Sequence, residues 1–410
     1  MKKIALLLWL ILASPIWAQE LPVAAPEEVG LSSEKLEQIA PAMQRYVDEH
    51  KLPGVITVVA RRGRIVHFQV VGRSDIENNK PMKTDTILRF YSMSKPVTSV
   101  AAMMLLQDGK FQLDDPVSKY ISEFKDLQVR ERNGDGETVL RAPKREMTIR
   151  DLLRHTSGLT YRYANANVLT RDQTLKDMAG KLGKRPLVFD PGTRWNYSVS
   201  TDVLGYLVEV VSGKPLDRFF QEEIFEPLDM RDTGFHVPAD KVDRFAANYG
   251  PARDGGLQLR DAAATSRYTK PTTFFSGGGG LVSTARDYTR FCQMLLNKGE
   301  LNGRRLLKPE TVERMTKNQL PDELVPIGLG TNRLEGTGFG LGFAVRVEAE
   351  PPGAIGQYAW GGAASTNFWI APREDLIGIA LTQHMPLANE FNATFMQLVF
   401  EAIQDPYSNE

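Results

Sequence analysis

The chain has 410 residues, enough for a sizeable core and for more than one lobe around it. Its 50 Lys and Arg balance 50 Asp and Glu, and neither end carries a long run of one sign, which excludes nucleic acid or an anionic lipid surface as the main partner. The single cysteine, Cys292, excludes an internal disulfide, a thiolate zinc site and a lipid anchor on a leader cysteine.

From the start of the chain, Lys2 and Lys3 precede an apolar run from Ile4 to Leu12, and Ile16-Trp17-Ala18 offers a cleavage site before Gln19. The expectation is a signal peptide over 1–18, export to the periplasm, and a mature domain over 19–410. No later stretch is long and apolar enough to span a bilayer, so no stable membrane insertion is expected. Ser32 and Ser33 precede Leu36, Ile39, Ala40, Met43 and Val47, a stripe at helical spacing that predicts a helix to about His50. Val55 to Ala60, the Arg61-Arg62-Gly63 break and Ile65 to Val71 predict a β-hairpin. Helical patterns dominate from about Thr84 to Asn332, as in Val100-Met103-Met104 and Val203-Leu207-Val210, interrupted by Gly- and Pro-rich loops. Strand patterns return at Gly340 to Val347, Thr366 to Ile370 and Leu376 to Thr382, and a helix is predicted from about Glu390 to Ile403. These elements predict an α+β fold with an antiparallel sheet drawn from both ends, about 50–83 and 333–410. Terminal helices flank that sheet, and a mostly helical lobe is inserted at about 84–332.

Ser92-Met93-Ser94-Lys95 opens a helix whose buried face is Val97, Val100, Ala101, Met104 and Leu105, with Pro96 tolerated in the first turn and Gly109 as the stop. Serine at i and lysine at i+3 share a face. A lysine there, at the positive end of the helix, eases removal of the serine proton, and backbone N–H groups of the same turn can face an oxyanion. Yet Ser-x-x-Lys occurs by chance roughly once in such a chain. Ser32-Ser33-Glu34-Lys35 is a second match, where the serine is read as a helix cap. Downstream, Tyr197 in Arg194-Trp195-Asn196-Tyr197-Ser198 could serve as a general base beside a cationic lysine, or could simply pack against Trp195. Tyr358-Ala359-Trp360-Gly361-Gly362-Ala363 leads into a strand, where paired glycines let backbone N–H groups approach a substrate, or else make an ordinary tight turn.

In this order and at these separations, the three segments resemble the serine β-lactamase and penicillin-binding-protein superfamily, most closely its class C-like branch with the family VIII carboxylesterases. The resemblance runs through Leu52-Pro53-Gly54-Val55, the block Asp151 to Leu159, and Ser276-Gly277-Gly278-Gly279-Gly280-Leu281 on to Asp287. It implies a β-lactamase/transpeptidase-like fold, Ser92 as nucleophile, Lys95 and Tyr197 as its general-base pair, and the N–H groups of Ser92 and Ala363 as the oxyanion hole. Trp360, Gly361 and Gly362 would contact substrate. β-Lactamases and peptidases of this superfamily usually carry Tyr-x-Asn and Lys-Thr-Gly, whereas this chain has Val199 and Trp360-Gly361-Gly362. Loss of such buried donors to a substrate carboxylate costs on the order of 2 to 5 kcal/mol of binding.

His155 follows a helix and is read as structural, and His50, His67, His236 and His384 have no partner at metal-ligand spacing. Gly277 to Gly280 lacks the Gly-Lys-Ser/Thr ending of a phosphate loop and is read as a tight passage beside the cleft. Asn133 to Glu137 is read as a hairpin tip, not a calcium loop. The reading is a serine carboxylesterase acting on short- to medium-chain esters through an acyl-enzyme on Ser92, with a small-molecule ester as partner, no metal and no cofactor. The rival readings are a β-lactamase or D-Ala-type peptidase, and a non-catalytic relative that binds peptidoglycan or another ligand.

Overall fold

Apart from Thr57, residues 54–60 carry no polar side chain and lack the alternation of a half-exposed strand, and all eight residues of β1 (Gly54–Arg61) are buried, as a strand covered on both faces requires. The computed structural model describes residues 21–163, 168–253, 255–349 and 355–405, so the leader expected over 1–18 lies outside the described residues. β1 pairs antiparallel with β2 (Arg64–Asp75) on one side and with the last strand, β8 (Leu376–Leu381), on the other, so that Val58 faces Phe68 and Ile379. With β3 (Lys80–Pro81), β4 (Thr337–Phe339), β5 (Ala344–Arg346), β6 (Tyr358–Gly362) and β7 (Thr366–Ala371), the eight-stranded order is β4-β5-β6-β7-β8-β1-β2-β3. The sheet joins the two ends of the chain.

Side chains alternate across the sheet, so each strand feeds two cores. Val55, Val59, Trp369 and Ala380 pack on the terminal helices α1 (Ile39–Asp48) and α6 (Glu390–Glu401), through Ile39, Met43, Phe395 and Val399. Ile56, Val58, Phe368 and Ile379 belong to the larger core of the other face. That core includes α2 (Ser94–Gln107), α3 (Ile149–Leu153), α4 (Ser200–Ser212) and α5 (Ala285–Leu296), with α2 packed along α4 and α5 laid on β1 and β8. α2 ends at Gln107 and Gly109 follows with φ of 72°, a conformation that favours glycine after a helix. The α+β expectation holds.

Two local expectations are corrected and a third is extended. The helix expected from Ser33 to about His50 is two pieces, Ser33–Leu36 and α1, because Pro41 has no N–H to continue the first piece and fits only in the first turn of a new helix. The strand expected from Gly340 to Val347 is half turn: Thr337 pairs with Arg346 and Phe339 with Ala344, and Gly342 turns the chain with φ of 105°. Tyr358 to Gly362 leads into β7 as expected and is itself a strand, paired along its length with β7.

Candidate active site

The turn that carries Ser92 is fixed from below. Arg89 is wholly buried; its Nε donates to Asp261 Oδ2 at 2.8 Å and its Nη1 to the Ala246 carbonyl at 2.7 Å, while its own N–H donates to Gln383 at 3.0 Å. The chain then bends through Tyr91, at φ of 43°, into a single 3-10 turn, Tyr91–Met93, that feeds α2. Ser92 stands in that turn, and Lys95 lies in the first turn of α2 with only 2% of its surface exposed. The i, i+3 spacing brings Lys95 Nζ to 3.1 Å from Ser92 Oγ.

A buried ammonium needs compensation. The Gly278 carbonyl accepts from Lys95 Nζ at 2.5 Å, and Thr98 Oγ1 donates to the Gly277 carbonyl at 2.7 Å. The glycine run expected beside the cleft therefore lies on α2. Glycine is required at 278 because a Cβ there would run into the Asp202 carboxylate. Asp202, in the first turn of α4, accepts from the Gly278 N–H at 3.0 Å and from Ser276 Oγ at 2.5 Å. Burial raises the Asp202 pKa, and the Lys95 charge opposes that rise. The backbone of one residue, Gly278, thus links the carboxylate to the lysine.

Tyr197 precedes α4 and is held by rings. Its centroid lies 5.0 Å from His155, 5.4 Å from Tyr161, 6.3 Å from Trp195 and 5.3 Å from Trp360. Lys95 Nζ sits 4.7 Å from the Tyr197 centroid and 5.5 Å from that of Tyr161, the range of cation–π attraction. The Tyr197 hydroxyl is buried and makes no hydrogen bond of standard geometry to the protein. Such an orphan is unfavourable by about 1–3 kcal/mol and is expected where a substrate completes the bonding.

Trp360, on β6, closes the other side: it is 8% exposed and packs on Tyr197 and, at 5.4 Å, on Phe339. Gly362, two residues on and on the same face, lets β6 reach the nucleophile's turn, since a Cβ there would strike the Phe90 carbonyl. Gly361 pairs with Asn367 on the opposite face, and Ala363 begins the turn closed by Ser365 N–H donating to the Gly362 carbonyl at 2.9 Å. The structure thus gathers Ser92, Lys95, Tyr197 and Trp360, with Gly362 and Ala363 at the end of the adjoining strand. Val199 is fully buried, and no lysine stands at Trp360, Gly361 or Gly362.

His155 lies beneath this cluster rather than in it. It is buried, its Nδ1 is 3.5 Å from Ser198 Oγ, and burial, then the Lys95 charge, hold it neutral with a pKa well below 6.5. Ser32 caps the helix at Ser33, accepting from the Lys35 N–H at 3.3 Å, and Asn133 to Glu137 is the tip joining strands Val129–Arg132 and Thr138–Arg141. Cavities of about 540 Å³ beside His67 and about 610 Å³ beside His236 lie away from Ser92. Sequence reasoning missed Asp202 and Tyr161. A carboxylate at the start of the otherwise apolar run Val203 to Val211 was the only signal for the first, and Tyr161 gave none beyond following the Asp151 to Leu159 block.

With the geometry in place, the comparisons are specific. The sequence model of the family described as Beta-lactamase matches residues 39–400. The chain is 31% identical over 354 residues to Esterase EstB of Burkholderia gladioli, spanning 78% of this chain and 83% of that one. It is 27% identical over 394 residues to Lovastatin esterase of Penicillium rubens, spanning 89% and 97%. Among solved structures it is similar to EstCE1, described as a hydrolase with promiscuous acyltransferase activity, with a TM-score of 0.77 and 26% identity over 91% of this chain and 99% of that one.

Proposed function

This chain belongs to the beta-lactamase family as a serine hydrolase, an esterase or acyltransferase of that fold, and we propose that it hydrolyses short- to medium-chain carboxylic esters through an acyl-enzyme on Ser92. The observation that carries the proposal is the 3.1 Å approach of Lys95 Nζ to Ser92 Oγ. Ser92 Oγ attacks the ester carbonyl carbon while Lys95 and Tyr197 take its proton. The tetrahedral oxyanion faces the N–H groups of Ser92 and Ala363. As the C–O bond breaks, the pair returns the proton to the leaving alkoxide. Water, deprotonated by the same pair, then releases the carboxylic acid and frees Ser92.

The wall of Trp360, Tyr197 and Phe339 supports apolar acyl or alcohol groups. It supplies neither the amide at Val199 nor the cation at Trp360 that would hold the carboxylate of a β-lactam or peptide, which disfavours the β-lactamase and peptidase readings. Intact-mass measurement tests the nucleophile: incubation with a nitrophenyl butyrate should add one butyryl group to the wild type and none to Ser92→Ala. An adduct that persists in Ser92→Ala sinks the assignment. Faster turnover of a chromogenic cephalosporin than of the ester would reverse the choice of substrate. Export to the periplasm is proposed from the pattern of 1–18 alone, and N-terminal sequencing of the protein from a periplasmic fraction should begin at Gln19.

A further inference from the structure

Tyr161 begins the single turn Tyr161–Tyr163 just after the buried block that ends at Leu159. Its ring meets that of Tyr197 at 5.4 Å with a 55° tilt, and Lys95 Nζ lies against both rings. One ammonium is therefore shared by two phenols. Tyr161 is partly buried against the core, and burial raises its pKa well above the ordinary tyrosine value; charge on Tyr197 and on Asp202 and a side-chain hydrogen bond with Tyr197 push the same way. That direction favours the protonated, donating form of Tyr161. The Tyr197 oxygen is buried without a hydrogen bond of standard geometry, while its ring is bordered by His155, Trp195 and Trp360.

Among the described residues, the charged and titratable groups facing this pair are few. They are Lys95 from α2, Asp202 from α4, and His155 following α3, with the hydroxyl of Ser92 beyond Lys95. The sheet side offers the aromatic Trp360 and Phe339. His155 is neutral, and Asp202 is engaged by Ser276 and Gly278. Besides Lys95, the described donors around Tyr197 are the Tyr161 hydroxyl and the unpartnered indole N–H groups of Trp195 and Trp360, and of these Tyr161 alone shares the Lys95 ammonium with it. Two like groups held in different environments, one fixed as acid and the other free to exchange its proton, are a recurrent arrangement for proton transfer.

We propose that Tyr161 is a positioning residue for the base: its hydroxyl donates to the Tyr197 oxygen as that oxygen takes on negative charge, holding it in the reactive form beside Lys95. The proposal rests on reading Tyr197 as part of the general base. It adds a second tyrosine beside the relay, supplied by the Tyr161–Tyr163 turn rather than by the segment before α4 that carries Tyr197.

The test is the pH profile of kcat and kcat/KM on nitrophenyl butyrate for wild type, Tyr161→Phe, Tyr197→Phe and a protein with 3-fluorotyrosine placed at 161, each checked by thermal melting. Tyr161→Phe removes one oxygen and should move the acidic limb up by about one pH unit, with kcat at neutral pH down about tenfold and KM unchanged. The fluorinated tyrosine, a stronger donor in the native shape, should move the limb the opposite way. A limb that stays in place in both variants overturns the proposal. Wild-type turnover by Tyr197→Phe would overturn the reading of the base as well, so the two failures are distinguishable.

Discussion

The two faces of the sheet are buried to the same depth and filled with different chemistry. Against the terminal helices, Ile39, Met43, Val55, Val59, Trp369, Phe395 and Val399 are each at most 1% exposed. The main charge on that side, the Arg61 guanidinium, is met by the Asp405 carboxylate at 2.6 Å and by the Val29 and Gly30 carbonyls. On the other face Lys95, Asp202, His155, Ser94, Thr98, Ser198 and Ser200 are all buried, and the Tyr197 hydroxyl and Trp360 Nε1 have no partner. The terminal face has orphans of its own, Gln357 Oε1, Asn367 Nδ2, Trp369 Nε1 and Asn392 Oδ1, but among the described residues none of them stands beside a buried lysine. Apolar burial at about 25 cal/mol per Å² makes the terminal face a source of stability, whereas buried polar groups on the lobe face offset part of theirs to stand ready for a reaction.

The sharpest test exchanges a lobe-face charge for an apolar chain. Lys95→Met should lower kcat/KM by about 10³-fold, the scale of a general-base contribution, while the melting temperature falls by less than in a core truncation. Stopped-flow ester hydrolysis beside calorimetry reads both quantities. A variant that melts as early as Phe395→Ala would mean that Lys95 is part of the scaffold. The reciprocal change, Phe395→Ala on the terminal face, should cost about 3–5 kcal/mol in urea unfolding and leave kcat per folded molecule unchanged.

What could be read from the sequence follows the same division. Ser92 and Lys95 lie within one helical turn, so their spacing alone places them on one face, and the hairpin of β1 and β2 is written in its β-branched arms. Tyr197 and Trp360 came from the order of segments rather than from any periodicity. Asp202 and Tyr161 were missed because their significance depends on packing between residues far apart in the chain. The Asp202 carboxylate is linked to Lys95 by hydrogen bonds through the backbone N–H and C=O of Gly278, and Tyr161 meets Tyr197 across the lobe. The two misread elements, at Pro41 and at Gly340 to Phe343, failed where one backbone constraint outweighed a run of favourable side chains.

A titration separates the faces by a different route. His67, on the terminal side, bonds Thr57 Oγ1 at 2.8 Å, and burial lowers its pKa from 6.5 to about 4. Because the folded value lies below the unfolded one, the stability gained by keeping it neutral is complete above pH 6.5 and is lost as pH falls through 4. The full swing is about 3 kcal/mol. Urea unfolding from pH 7 to pH 4 should therefore show a shallower decline in His67→Gln than in the wild type. Equal slopes would remove His67 from the acid sensitivity of this face and leave it with His155, whose pKa is lowered in the same direction on the other side.

The smallest effect expected is also the most discriminating for the lobe face. In Asp202→Asn the amide oxygen, placed at Oδ1, can still accept from both the Gly278 N–H and Ser276 Oγ, so the glycine run should stay against α2. What is lost is the charge that answers Lys95 across the Gly278 backbone. If the carboxylate serves only as a cap for the Gly278 loop, kcat and KM should both stay near wild type. If it holds the lysine through its charge, kcat should fall about tenfold at constant KM, equivalent to about 1.4 kcal/mol of transition-state stabilisation, with the melting temperature unchanged or raised because a desolvated charge has been removed. The second outcome is the one predicted. It would place Asp202 among the polar groups that this face keeps buried for the sake of the reaction rather than of the fold.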